Sequence, residues 1–255
     1  MNITHLLEPL LDKSMQEVNA KQTPREYLGA SRWGEECSRM LAYEYHKAPT
    51  DKADRFSGKI LRVFDMGHDA ENRVANYLIG AGFALQTTTP SGGQFGFKVA
   101  GGKLAGHCDG VITAGPLDLP YPIIWENKGL NDKSWKETAK KGVKESKPVY
   151  YGQLQTYMAY LDVPNGSLFT AINRNTGEVY AEFVEFNLQD AQELSDKAAR
   201  IIRTESPEEM PRISENPAFF KCCFCDYQQK CHGLTTTPSI AQPSQELPAW
   251  ITNRT

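Results

Sequence analysis

Apolar residues recur at helical spacing over residues 3–18 and again over 62–79. In the second stretch Phe64, Val74, Tyr77 and Leu78 form an apolar face that Gly80 and Gly82 end. Thr23-Pro24 interrupts the pattern, and Ser31 is placed to cap a helix running through Cys37, Met40, Leu41 and Tyr45. Residues 47–58 are polar and loop-like. The period then changes to that of strands, over 83–89, 94–100, 104–113 and 121–128, with Ser91-Gly92-Gly93 and Gly101-Gly102 as turns. Residues 149–161 read as helix, and 167–173 and 178–186 as a strand pair across Asn175-Thr176-Gly177. A charged amphipathic helix over 188–202 and an irregular stretch from Pro207 precede a cysteine-rich run. This order predicts an α/β domain with a mixed sheet flanked by helices. The expected divisions are an N-terminal helical segment (1–28), the main domain (29–233) and a flexible tail rich in Thr, Ser, Pro and Gln (234–255).

Composition narrows the setting. With 255 residues and 40% hydrophobic content the chain is read as globular, and its apolar runs are too short to span a bilayer. Residues 1–13 lack the basic start and apolar core of a secretory signal, so the expected location is the cytoplasm. Disulfides are not expected there, and six cysteines with clustered spacing point to metal or cluster ligation instead.

Two strand-like runs carry the candidate chemistry. In LAGHCDGV Asp109 shares a strand face with His107, and in IIWENKG Glu126 and Lys128 share the face opposite Trp125 and Asn127. Adjacent strands would aim Asp109, Glu126 and Lys128 into one pocket. Two carboxylates suit a hard cation such as Mg²⁺ or Mn²⁺, and a neighbouring ammonium can polarise a water or stabilise an anion. A second E-x-K, Glu145 to Lys147, follows no apolar strand and reads as surface charge. Charged residues inside an apolar strand are costly without a purpose, which singles out the first copy.

The C-terminal run KCCFCDYQQKCHG contains Cys222-x2-Cys225-x5-Cys231. The two-residue gap favours Cys222 over the adjacent Cys223, and Cys37 would be a fourth ligand. Four thiolates fit tetrahedral Zn²⁺ or a [4Fe–4S] cluster, and spacing alone does not choose between them. Cys108 reads as a small buried residue.

Together these motifs resemble the PD-(D/E)xK nuclease superfamily, in its RecB-like branch. Gly67-His68 on a helix ahead of the strands, and Gly152, Gln153 and Tyr157 in YYGQLQTYMAYL, sharpen the likeness. One cysteine before the core and three after it look like the iron–sulfur nucleases, including CRISPR-adaptation and phage exonucleases. The resemblance covers roughly residues 28–233 and implies a restriction-endonuclease-like fold with N- and C-terminal segments joined at a four-cysteine cluster. It further implies that His68 is a metal ligand beside Asp109 and Glu126, and that Gln153 and Tyr157 support Lys128 or hold a phosphate. It favours [4Fe–4S] over zinc at Cys37, Cys222, Cys225 and Cys231.

The expected activity is hydrolysis of DNA phosphodiesters by metal-assisted water, with Lys128 aiding the nucleophile and the Asn127 carbonyl as a further metal ligand. Exonuclease action is favoured, with phage or mobile-element recombination or repair as the setting and recombination or replication proteins as further partners. The alternatives are a binding or assembly protein with weak catalysis, and a zinc-stabilised endonuclease. Without a Walker-type loop the chain would act on ends, flaps or opened single strands. A net charge of −3 leaves DNA contact to a local patch. Lys133, Lys136, Lys140, Lys141, Lys144 and Lys147 around Trp135 read either as a solvated helix face or as a DNA-guiding segment. Their position after Lys128 favours guidance. Glu71, three residues after His68, and His107 are left outside the core set, and Arg39 reads as a surface arginine or a DNA contact.

Overall fold

A computed structural model describes residues 1–51 and 56–234; the tail expected beyond Leu234 lies outside the described residues. Along the chain run α1 (Thr4–Ala20), β1 (Leu28–Gly29), α2 (Ser38–Tyr45), α3 (Gly58–Gly80), β2 (Leu85–Gln86), β3 (Gly96–Val99), β4 (Leu104–His107) and β5 (Gly110–Ile112). There follow β6 (Ile123–Leu130), α4 (Asp132–Ser146), α5 (Pro148–Tyr160), β7 (Ser167–Asn173), β8 (Val179–Val184) and α6 (Leu188–Arg203). Two short helices, α7 (Phe220–Cys223) and α8 (Gln228–His232), carry Cys222, Cys223 and Cys231, with Cys225 between them. Among the described residues no helix is long and apolar enough to cross a membrane.

The strands form two mixed sheets, one of five strands in the order β2-β5-β6-β7-β8 and one of three in the order β1-β4-β3. Helices flank both, giving a mixed α/β fold. β6 is central because its first residues are apolar on both faces, as a strand covered on both sides requires. Ile124 packs with Leu154, Met158, Phe169 and Ile201 on the α5 and α6 side. Ile123 and Trp125 pack with Val74, Ile112 and Leu168 on the α3 side. Carrying that alternation on, Glu126 and Lys128 face α5 while Asn127 and Gly129 face α3. β7 pairs parallel to β6, and α4 and α5 form the crossover that a parallel pair demands.

Several expectations are corrected. The single sheet is two, because the strand expected over 104–113 breaks at Cys108-Asp109. Cys108 N–H still donates to Phe95 O at 3.0 Å beside the small sheet, whereas Gly110 pairs with Trp125 in the large one. Ser31 does not cap a helix: it lies in a 3-10 turn, and α2 starts only after Cys37. Gly34 passes so close to α5 that a Cβ there would lie 2.6 Å from Val149 Cα. The boundary expected at 28/29 falls inside β1, which pairs with β4.

Candidate active site

β6 presents Glu126 and Lys128 side by side, with Lys128 Nζ 2.5 Å from Glu126 Oε1. Glu126 is 1% exposed and the Lys128 side chain 22%. From α5, Gln153 donates to the same Glu126 Oε1 at 2.7 Å and to Tyr157 Oη at 3.0 Å. Gln153 and Tyr157 are buried and one helical turn apart, so they hold Glu126. This differs from the expectation that they support Lys128 or hold a phosphate, since Lys128 meets Glu126 itself. Glu126 Oε2, although buried, has no hydrogen-bond partner.

Asp109 arrives from the break between β4 and β5. The pairing of Gly110 with Trp125 places it opposite Glu126, and its Oδ2 accepts from Asn127 N–H at 2.8 Å. A continued β5 ladder would have supplied a backbone carbonyl to that donor. The carboxylate replaces it and so enters the site by interrupting its own strand. His107 lines the same cleft as Asp109, although the strand break means that strand parity is not what places it there. His107 is exposed and lies over Gly96, where a Cβ would be 2.3 Å from its ring.

Asn127 turns its side chain to the other face. There Trp125 Nε1 donates to Thr170 Oγ1, which donates to Asn127 Oδ1 at 2.9 Å. The Asn127 backbone carbonyl, by strand geometry, points the same way as its N–H, towards Asp109.

α3 adds His68 and Glu71 to the same cleft. His68 is exposed, and its charge favours ionised Asp109. Burial pushes the Glu71 carboxyl up to about 7, with Asp109 adding to the rise and Lys128 opposing it. Glu126 is also raised, by burial and then by Asp109, and Asp109 is raised by burial. Burial alone would lower Lys128, but Glu126 and Asp109 outweigh it and keep the ammonium charged. Glu71 is the acid that sequence reasoning left aside; its three-residue spacing from His68 was the available signal. Three carboxylates thus face one lysine, an excess that either protons or a cation must relieve. Among the described residues, however, no group of three or more His, Cys, Asp or Glu side chains is arranged to hold a metal ion as it stands. In the acid site Lys128 and Gln153 already occupy Glu126 Oε1. The donor set fits a hard cation in its chemistry, through the unpaired Oε2 and two further carboxylates.

Cys37, at the start of α2, shares one cavity of about 380 Å³ with Cys222, Cys225 and Cys231. Cys223 is exposed and its thiol points to Pro217 O. The two ends are pinned together around the cavity. Tyr43 stacks on Tyr227 at 5.2 Å, Lys221 pairs with Glu36 at 2.6 Å, and Gln229 N–H donates to Asp51 Oδ2 at 2.7 Å. Burial pushes the Cys225 thiol up to about 11. Four soft sulfur donors at one cavity suit a thiophilic metal or cluster in donor type, although among the described residues they are not arranged to hold one as they stand. Cys108 is buried in the core. Arg39 donates to Met210 O and Glu208 O at 2.7 and 2.8 Å, so it fastens the segment after α6.

The lysine-rich segment is α4, and none of its six lysines lines the cleft. Lys136 pairs with Asp132, Lys141 with Glu137 and Glu145, Lys144 with Asp190, and Lys147 with Glu137. Four of the six lysines are thus paired at the surface and, among the described residues, Lys133 and Lys140 have no acid partner; the placement of all six outside the cleft weighs against the guiding role.

No protein-family model matches the chain, and no curated protein matches it significantly. Among solved structures it is similar to the crystal structure of SSO0001, at 15% identity and a TM-score of 0.52, over 91% of this chain and 98% of that one. That likeness shows a common fold. The chain is also similar to an alkaline exonuclease from Laribacter hongkongensis, LHK-Exo, at 17% identity and a TM-score of 0.48, over 70% of this chain and 87% of that one. The same figures hold for LHK-Exo in complex with dAMP.

Proposed function

We propose that this chain is a metal-dependent deoxyribonuclease of the PD-(D/E)xK type, hydrolysing phosphodiesters at DNA ends or in opened strands. The observation that carries this is the buried, unpaired Glu126 Oε2 beside Asp109 and Lys128. An unsatisfied buried polar atom costs about 1–3 kcal/mol, which an incoming cation offsets. His68, Asp109, Glu126 and the Asn127 carbonyl are the groups that would hold it, with Glu71 at the rim. Bound Mg²⁺ or Mn²⁺ supplies an acidified water and offsets charge on the phosphate. Lys128 stays protonated and presents donors to the attacking water and to the oxygens that gain charge. Gln153 and Tyr157 fix Glu126 so that Lys128 has a set partner. Water forms one P–O bond as another breaks, leaving a phosphate end and a hydroxyl end. Exonuclease action is preferred because the described residues include no separate recognition module.

We read the four-thiol cavity as the seat of a [4Fe–4S] cluster clasping the two ends of the chain. Four thiolates also admit tetrahedral Zn²⁺, and the likeness of one cysteine before the core and three after it to the iron–sulfur nucleases favours the cluster. Anaerobic purification should give brown protein with broad absorption near about 400 nm. Colourless protein with stoichiometric zinc would replace the cluster by the metal.

Degradation of end-labelled DNA with Mn²⁺ tests the activity. Lys128→Ala should lower the rate by about a hundredfold or more. Equal rates for wild type and variant would remove the catalytic reading and leave a DNA-binding or assembly role.

A further inference from the structure

Arg174 follows β7 directly, and its N–H donates to Leu130 O at 2.8 Å, next to the last rung between β6 and β7. Gly129 makes room for its stem. A Cβ at Gly129 would lie 3.2 Å from Arg174 Cδ and 3.3 Å from Ala70 Cβ of α3. The stem therefore lies against bare strand backbone at the edge of α3, and the residue is half-buried. From there Arg174 lines the cleft of about 1400 Å³ that also contains His68, Glu71, Asp109, Glu126 and Lys128.

Of the other cations lining this cleft, Arg32 has Glu35 and Glu44, Lys47 has Glu26 and Lys128 has Glu126, while Arg25 lies 6.0 Å over the Tyr27 ring. Among the described residues Arg174 has no acid partner. A half-desolvated guanidinium without an anion is costly in a folded protein unless an anion arrives. Guanidinium geometry matches phosphate oxygens in a bidentate manner.

We infer that Arg174 binds a backbone phosphate of the substrate strand flanking the bond to be cut, and so positions DNA over an acid-rich centre that would otherwise repel it. The inference rests on the nuclease reading above and names a residue outside its chemical core. Arg174 is a positioning residue: it touches a phosphate that does not react.

The test is Mn²⁺-dependent hydrolysis of an end-labelled single-stranded oligonucleotide by wild type, Arg174→Ala, Arg174→Gln and Arg174→Lys, across a series of salt concentrations. For Arg174→Ala, KM should rise about tenfold with kcat within about twofold. The slope of log affinity against log salt should become shallower by about 0.7, as expected for one lost phosphate contact on a single strand. Arg174→Lys should keep the slope. Arg174→Gln, which retains the stem, should behave as Arg174→Ala does, and it decides the matter if the alanine variant melts early. Active wild type with unchanged KM and salt slope in the Gln and Ala variants would overturn this inference alone. Wild type without any Mn²⁺-dependent cleavage would overturn the nuclease reading and this inference with it.

Discussion

Glu126 concentrates the physics of the site. It is buried with Asp109 opposite and Glu71 nearby, and its carboxyl is held above the ordinary range. The folded, metal-free protein therefore binds more protons than the unfolded chain between the ordinary carboxylate range and neutrality. Stability should fall as pH rises through that window, since the folded state is then forced to ionise clustered acids. Glu126→Gln should flatten this dependence, read as melting temperature against pH in chelator; an unchanged profile would show that Glu126 is not the group responsible. Mn²⁺ should restore stability to the wild type above neutrality and do so less for the Gln variant. Gln153→Ala should cost about 1–3 kcal/mol by denaturant unfolding, because Glu126 Oε1 loses one of its two donors. The pairing of Glu126 with Lys128 was legible in the chain, because two residues two apart on a strand share a face. The support from Gln153 was legible only as a helix turn, since nothing local says which carboxylate that turn meets.

At the scale of elements, the decisive feature is the strand that changes sheets. Gly106 in β4 lies where a Cβ would be 2.5 Å from Ala30 Cβ and 2.8 Å from Tyr157 Cε1. Gly106→Val should destabilise by about 1–3 kcal/mol through overpacking, measured by denaturant unfolding, and should lower the rate by displacing Tyr157 from Gln153. The break after β4 was not legible, because 104–113 satisfies the period of one continuous strand. It is Asp109 taking the Asn127 N–H that divides it. The helix α4 makes the opposite point. Its lysines follow the E-x-K strand in sequence, yet none lines the cleft, and Lys136, Lys141 and Lys144 pair with acids on α4 itself or with Asp190 on α6. Lys133→Ser with Lys140→Ser should leave KM for DNA within about twofold, in contrast to the Arg174 variants. A large rise in KM would return the guiding role to α4.

On the scale of the whole molecule, the chain brings residue 37 back to residues 222–231 at one cavity, and the same closure positions α2 and α7 around it. Cys222→Ser should abolish the visible absorption of the purified protein and lower its melting temperature. Cys223→Ser, at an exposed thiol outside the cavity, should change stability by no more than about 0.5 kcal/mol. Equal loss in both would mean that the adjacent thiols are interchangeable. Local order had determined much of this protein: the helix and strand series, the shared face of Glu126 and Lys128, and the spacing that sets Cys222 apart from Cys223. Those follow from backbone period and short-range reach, which neighbouring residues dictate. Tertiary structure alone decided that the sheet is two, that the α4 lysines lie outside the cleft, and that Arg174 enters it. These depend on which distant surfaces meet, and pairing between remote segments leaves no mark in the period of either.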